Sequence, residues 1–544
     1  MANPLGSSPP VAPWWHGAVG YEVYVRSFAD HDGDGVGDLL GIRSHLDHLV
    51  WLGVDAVWVT PFYPSPGFDH GYDVSDYTGV AAHHGTLDDF DLLIASAHEV
   101  GIRVIVDLVP NHTSHLHRWF VAAAQGRDDP YRDYYLWRDP SPDGGPPNNW
   151  VSHFGGPAWT LDAASGQYYC HLFLPQQPDL NWRNEQVRDE FDRILRFWLD
   201  RGADGFRIDV AHGLLKDPLF RDNPRSGGSD SADANWQAFF SFDHRYDLDQ
   251  EGVVEVYRRW HQLAEPYGAV LIGEIGLDDP DRIARYLADG ALDSAFFLKP
   301  PWMEWDPVEL LAALRTMHDR GPDRISWAID NHDHSRSVTR FGGGARGARR
   351  SLAVTAFIAC LGGIPFLYQG QELSIGDGVI APGDLADPIA TRNAGVVGRD
   401  GARTAMPWSP GPGNGFTTAT PWLPAADRPE TETVRGQLAT PGSSIHRYRD
   451  LIAMRRRHPD LWKSPASWLS SGSTSVAVVG RGSALVVANF SADTAEIPTG
   501  SGRYTTVFSS NGDSPALAPG AVRVPPVTTV VLIEEDHTNA QTHA

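Results

Sequence analysis

Eight short apolar runs, set between longer segments with apolar residues at helical spacing, limit what this chain can become. They are "VGYEVYV" (19–25), "DAVWVTP" (55–61), "RVIVDLV" (103–109), "GFRIDV" (205–210), "VLIGEI" (270–275), "SAFFL" (294–298), "ISWAIDN" (325–331) and "PFLYQG" (365–370). Between them, segments such as 39–52, 87–100 and 185–200 repeat apolar residues every three or four positions. Strand alternating with helix predicts a parallel sheet, because parallel neighbours need a crossover between them. Eight such strands predict an α/β fold closed as a (β/α)8 TIM barrel, whose chemistry sits at the C-terminal strand ends.

Those ends carry charge where apolar side chains would be cheaper. In "GADGFRIDVAHG" (202–213), Arg207 and Asp209 fall on one face of a strand, since side chains alternate. Asp107, Arg207, Asp209, Glu274, His332 and Asp333 all reach one mouth on this reading. A carboxylate nucleophile beside a carboxylic acid is the retaining glycosidase apparatus, and Arg207 is expected to keep its neighbour Asp209 ionised. Taken singly, Arg207 with Asp209 reads as an ion pair at a barrel rim, and His112 or His332 as a loop cap or a core histidine. It is the set that points to chemistry.

The remaining sequence bounds the setting. A chain of 544 residues has room for two or three domains, and a formal net charge of -24 disfavours phosphate backbones and anionic lipid as partners. Cys170 and Cys360 are too few for a disulfide framework, and Cys360 in its apolar run reads as a small buried thiol. The start, "MANPLGSSPPVAPWW", has neither a basic nor an apolar leader region, so the expected location is cytoplasmic. The uncharged stretch "SLAVTAFIACLGGIPFLYQG" is cut by Gly362, Gly363 and Pro365 and reads as a buried helix followed by a buried strand. Residues 1–111 and 185–461 supply the barrel, and 112–184 form an inserted domain after the third strand. Residues 462–536 form a C-terminal antiparallel β domain, with "SVAVVG", "ALVVANF", "YTTVFS" and "TTVVLI" as its strands, and 537–544 a disordered tail.

"DLVPNH" (107–112), "GFRIDV" (205–210), "IGEI" (272–275) and "IDNHD" (329–333) resemble, in order, the four signature regions of the α-amylase family, glycoside hydrolase family 13. "YEVYVRSFADHDGDGVGDL", "HGYDVSDY", "QPDLNW" and "GRDGARTAMPW" resemble its α-glucosidase, oligo-1,6-glucosidase and trehalose synthase branch, over roughly residues 14–460. The resemblance implies Asp209 as nucleophile, Glu274 as acid/base and Asp333 as stabiliser of the transition state. It implies that Asp107, Arg207, His112 and His332 hold the sugar, that Tyr72 is the platform beneath it, and that Asp73 and Arg399 close the pocket around its non-reducing end. Val210, after the nucleophile, implies acceptance of α-1,6 bonds. "QGQE" stands where relatives read "QGEE", and Gln371, Asp330 and His334 receive no role.

The expected activity is that of a retaining, exo-acting α-glucosidase releasing α-glucose from short neutral gluco-oligosaccharides or α-glucosides. An α-glucosyltransferase or a maltose/trehalose isomerase would use the same glucosyl-enzyme intermediate. A non-catalytic barrel acting as a binding subunit is a rival of another kind, disfavoured by the intact carboxylates and by the absence of a membrane segment from the sequence. "DHDGDGVGDL" raises a metal question, because hard cations want several oxygens gathered by a tight turn. An EF-hand would place a bidentate Glu where Gly41 stands. The resemblance instead implies a structural Ca2+ or Mg2+ site from Asp30, Asp32, Asp34, the Val36 carbonyl and Asp38.

Overall fold

The computed structural model describes residues 13–535 except 227–235, 289, 394 and 395; the tail 537–544 lies outside the described residues. Eight parallel strands close into a barrel in chain order: β1 (Gly20–Val23), β2 (Ala56–Val59), β3 (Arg103–Leu108), β4 (Gly205–Ile208), β5 (Val270–Ile275), β6 (Ser294–Phe297), β7 (Ile325–Trp327) and β8 (Ile364–Tyr368). β8 pairs back onto β1, with Phe366 opposite Gly20. All eight apolar runs are strands. Several stop short of the run's end, because the chain leaves the sheet where its polar groups begin: β7 ends at Trp327, and Val210, just beyond β4, adopts a left-handed φ of 45°.

Alternation sorts each strand between two cores. Val57, Val59, Val104, Val106, Phe206, Ile208 and Leu271 pack outward against the helices. Trp58, Ile105, Val270, Ile272, Phe296, Ile364 and Phe366 fill the lumen. A Cβ on Gly20 would lie 2.3 Å from the Phe366 ring, so glycine there is what lets that ring enter the barrel. Asp107, Arg207 and Glu274 continue the inward-facing positions upward, and this is why they meet at the mouth.

The helical segments form for local reasons. Glu185–Asp200 starts on the Asn184 side chain, and Leu87–Glu99 on a reciprocal cap between Thr86 and Asp89. Segment 39–52 is two helices, Leu39–Ser44 and Leu46–Leu52, rather than one. The Ser44 hydroxyl and His45 Nδ1 both bond the Gly41 carbonyl, at 2.9 Å each, and so compete with the helical hydrogen bond there. The uncharged stretch is the helix Gly344–Ile358 followed by β8, and among the described residues no helix is long and apolar enough to cross a membrane.

Between β3 and β4, strands Trp137–Arg138, Gln167–Cys170 and Trp159–Asp162 make a small antiparallel sheet. Its core of Trp150, Trp159, Cys170 and Leu172 extends to Phe239 and Leu248 of the loop beyond β4. Asp179 receives Asn111 Nδ2 at 3.1 Å and Lys216 Nζ at 2.9 Å, a buried pair tying this insertion to the barrel. At the C-terminal end, a five-stranded antiparallel sheet and a three-stranded one enclose Val478, Val487, Ile497, Val522 and Leu532. Thr529 Oγ1 donates to the Ala353 carbonyl at 2.7 Å, joining these sheets to a barrel helix. Both cysteines are free and buried.

Candidate active site

Arg207 organises the first half of the site. β3 and β4 pair so that Asp107 stands opposite Arg207. The guanidinium Nη1 reaches Asp107 Oδ1 at 3.0 Å and Asp209 Oδ1 at 2.6 Å, while Nη2 reaches Glu274 Oε2 at 2.8 Å. One fork thus sets Asp209 and Glu274 side by side. Asp107 also accepts from Trp58 Nε1 at 3.0 Å, and the Arg207 guanidinium lies 4.7 Å over the Trp58 ring. Glu274 Oε2 accepts the Val210 amide at 3.0 Å, so the left-handed turn after the nucleophile strand also serves to hold this carboxylate.

Three carboxylates against one guanidinium leave excess negative charge. Burial pushes the Asp107 carboxyl up to about 6, with Arg207 pulling against it. Burial likewise raises Asp209 well above the usual carboxylate range; Arg207 opposes this, and Glu274 and Asp107 reinforce it. Burial and the neighbouring carboxylates thus oppose ionisation of Asp209, and Arg207 is the cation that works in its favour, as the sequence leads one to expect.

Arg399 and Arg403 organise the second half. Arg399 contacts Asp69 at 3.0 Å, Asp387 at 2.8 Å and Asp333 at 3.1 Å, and Arg403 contacts Asp333 at 2.9 Å. Burial works against the Asp333 carboxylate, yet His332, Arg399 and Arg403 together hold it well below its usual range. Asp73 does not belong here. It is 0% exposed, and its carboxylate accepts the amides of Phe68 and Asp69, each at 3.0 Å, and the Ser65 hydroxyl at 2.8 Å. Asp73 thus shapes the turn whose other aspartate, Asp69, reaches Arg399. The pairing of Asp73 with Arg399 is corrected to Asp69 with Arg399.

Between the halves, the His332 ring lies parallel to Tyr72, with centroids 5.4 Å apart and planes 9° apart. His332 Nδ1 is 2.5 Å from Glu22 Oε1, its Nε2 is 2.8 Å from the Tyr72 hydroxyl, and that hydroxyl donates to Asp107 at 3.1 Å. Burial raises Glu22 and lowers His332, in each case disfavouring the charged form. Burial also pulls His112 down to about 4; its Nε2 lies 3.2 Å from the Tyr72 carbonyl. Asp69, Tyr72, His112, Asp209, Glu274 and Asp333 line one pocket of about 750 Å3. Glu274, Asp333 and Asp209 keep 17%, 25% and 9% of their side-chain surface exposed and face the pocket, while Asp107 keeps none and is closed to a ligand.

Glu22, Asp69, Asp387 and Arg403 were not anticipated. Glu22 is concealed in an apolar strand, where an inward-facing acid was the available signal. Asp387 caps the short helix Pro388–Arg392, in a segment without periodicity. Of the unassigned groups, Asp330 accepts the Ser337 hydroxyl at 2.8 Å and Gln371 bonds Thr355 Oγ1 at 3.0 Å, both away from the pocket, whereas His334 lines it.

In the loop after β1, carboxylate oxygens of Asp30, Asp32 and Asp38 lie within 4.8 Å of one another, a hard donor set that suits a divalent cation. Asp34 is outside this group: its carboxylate accepts the Val36 amide at 2.8 Å and shapes the turn instead.

The chain is similar to known proteins over most of its length. The family model described as alpha amylase, catalytic domain, matches residues 22–464. A probable alpha-glucosidase of Rhizobium meliloti (strain 1021) is 40% identical over 480 residues, covering 85% of this chain and 86% of the relative. An oligo-1,6-glucosidase of Parageobacillus thermoglucosidasius is 36% identical over 486 residues, covering 82% and 84% respectively. The crystal structure of an alpha-glucosyl transfer enzyme, XgtA, superimposes with a TM-score of 0.90 at 37% identity, covering 96% of this chain and all of that one. With its closed barrel, inserted sheet and paired carboxylates at the strand ends, the chain belongs to the alpha-amylase family of glycoside hydrolases.

Proposed function

We propose that the protein is a retaining, exo-acting α-glucosidase acting on short neutral gluco-oligosaccharides and α-glucosides. The single observation that carries this reading is the Arg207 fork, which holds Asp209 and Glu274 on adjacent nitrogens of one guanidinium. Asp209 attacks the anomeric carbon as Glu274 passes a proton to the departing oxygen, leaving a glucosyl ester on Asp209. Glu274 then takes a proton from water, which displaces Asp209 and frees α-glucose. Asp333, held ionised by its two arginines, stabilises positive charge on the sugar ring as the bond breaks. Tyr72 supports the sugar ring, with His112 and His332 beside it.

Exo action rests on the second half of the site. A terminal glucose can hydrogen-bond Asp69 and Arg399, but a further glycosyl unit would clash with this ion pair, which occupies the space it needs. Incubation with maltotriose and with soluble starch tests this: glucose should appear from the trisaccharide while starch viscosity barely changes. A rapid loss of viscosity with little glucose would contradict a closed pocket.

Glucosyl transfer to an acceptor other than water is the second reading, favoured by the 0.90 superposition on an alpha-glucosyl transfer enzyme. Asp30, Asp32 and Asp38 would hold a Ca2+ or Mg2+ ion, which would brace the loop after β1 and take no part in bond breaking. A cytoplasmic setting accords with two unpaired cysteines.

A further inference from the structure

The pocket changes character from floor to mouth. Asp209, Glu274, Asp333 and Arg399 line its floor, whereas Phe240 and Trp302 line its mouth with 54% and 56% of their surface exposed. Trp302 ends the short helix Lys299–Trp302 just beyond β6. Adjoining aromatic rings left open to water are costly, and on a folded protein such a patch marks a contact site. These rings are also fixed in place. The Trp302 indole stands edge-on to the His334 ring, 4.4 Å between centroids and 73° between planes, and to Phe240 at 5.8 Å and 79°. His334 Nδ1 is in turn held 2.8 Å from Asn331 Oδ1, and its backbone adjoins Asp333. The orientation of the indole is therefore tied to the segment that carries the ionised carboxylate.

We infer that Trp302 is the platform for the leaving group of the glycoside, with His334 as the residue that positions it, and that the platform selects neutral alcohols with a flat apolar face. An aryl ring and the C–H face of a pyranose both have that chemistry. The inference rests on the α-glucosidase reading and adds the class of leaving group. As the glycosidic C–O bond breaks and the Glu274 proton passes to the departing oxygen, the freed alcohol lies against the indole. Asp278 and Asp279 also border the mouth, against Lys299; Asp243 and Arg282 there are each already paired, with Arg245 at 2.9 Å and Asp249 at 2.6 Å. An anionic leaving group, such as a sugar phosphate, meets like charge there.

The test compares kcat/KM for 4-nitrophenyl α-glucoside and maltose with kcat/KM for α-glucosyl fluoride, whose leaving atom is too small to reach the indole. Trp302→Ala should lower one or both of the ratios to the fluoride about tenfold, and Trp302→Phe should restore most of the loss. A fall confined to the aryl glucoside identifies an aromatic-binding platform, and a fall for maltose identifies stacking of a pyranose. His334→Ala should lower the same ratios through KM, with rescue by His334→Phe, which keeps a ring edge against the indole. Ratios within about twofold of wild type for Trp302→Ala would overturn the inference. A wild-type protein inert toward the fluoride would instead remove the α-glucosidase reading, and the inference with it.

Discussion

The two halves of the site are built on arginine, yet Asp209 in one and Asp333 in the other are shifted in opposite directions. Around Arg207, one guanidinium faces Asp107, Asp209 and Glu274, and both Asp107 and Asp209 are raised. Around Arg399, a second guanidinium, that of Arg403, joins in; Asp333 and Asp387 are held low while Asp69, the carboxylate with less cationic contact, is raised to about 6. Burial raises every one of these carboxylates, and the hydrogen bonds and cations that face each one set how far it is pulled back: Asp387 takes several hydrogen bonds from Arg399, Asp69 takes one. A glycosidase needs a fixed negative charge beside the developing cation, and Asp333, held low by Arg399 and Arg403, meets that need.

The halves also differ in how they are made, and perturbing each should separate them. The largest effect belongs to the Arg207 side. Asp209→Ala and Glu274→Gln are each expected to lower kcat by about a thousandfold or more while the folded protein persists, as steady-state rates and circular dichroism will show. Next comes a contrast within one turn. Asp69→Asn removes a carboxylate facing the sugar, so kcat/KM for maltose should fall about tenfold to a hundredfold with little change in Tm. Asp73→Asn, which disturbs only contacts within the turn, should lower Tm by a few degrees and change kcat/KM by less than about threefold. The reverse pattern would restore the pairing of Asp73 with Arg399.

That contrast marks where the sequence is legible. Strand positions announce themselves: residues 270–275 form β5, residues 185–200 form one helix, and the inward-facing parity of Asp107, Arg207 and Glu274 follows from counting by two. Loop pairings do not. Two aspartates flank Tyr72 in "FDHGYD", and only the closed turn, with Asp73 receiving the amides of Phe68 and Asp69, shows which one is free to reach Arg399. Asp387 and Arg403 come from a long connection after β8 with no period to read. The break in 39–52 arises from side chains competing for one carbonyl, which an apolar pattern does not register.

Smaller effects sharpen the electrostatic side. The Asp107 carboxyl sits at about 6 when folded, against about 3.9 unfolded, so its contribution to stability is full below pH 3.9 and is lost as pH rises through 6. Asp107→Asn removes that dependence, and Tm measured from pH 4 to pH 7 should move in the variant's favour as pH rises. A constant gap would argue against a protonated Asp107. Chelation, or Asp32→Ala, should lower Tm by a few degrees while the folded fraction keeps its turnover, and elemental analysis of protein purified without chelator should find about one divalent ion per chain. The smallest expected change is a severalfold drop in isomaltose cleavage relative to maltose for Val210→Ala, read by glucose release from each.

The most direct measurement is the anomeric form of the first glucose released. Proton NMR during the opening minutes of 4-nitrophenyl α-glucoside hydrolysis, in which every glucose comes from the reacting position, reads it before mutarotation. Two displacements at one carbon, the first by Asp209 and the second by water with Glu274 taking its proton, predict α-glucose. Initial β-glucose would mean a single displacement, and the pairing of Asp209 with Glu274 on Arg207 would then not be the retaining apparatus described.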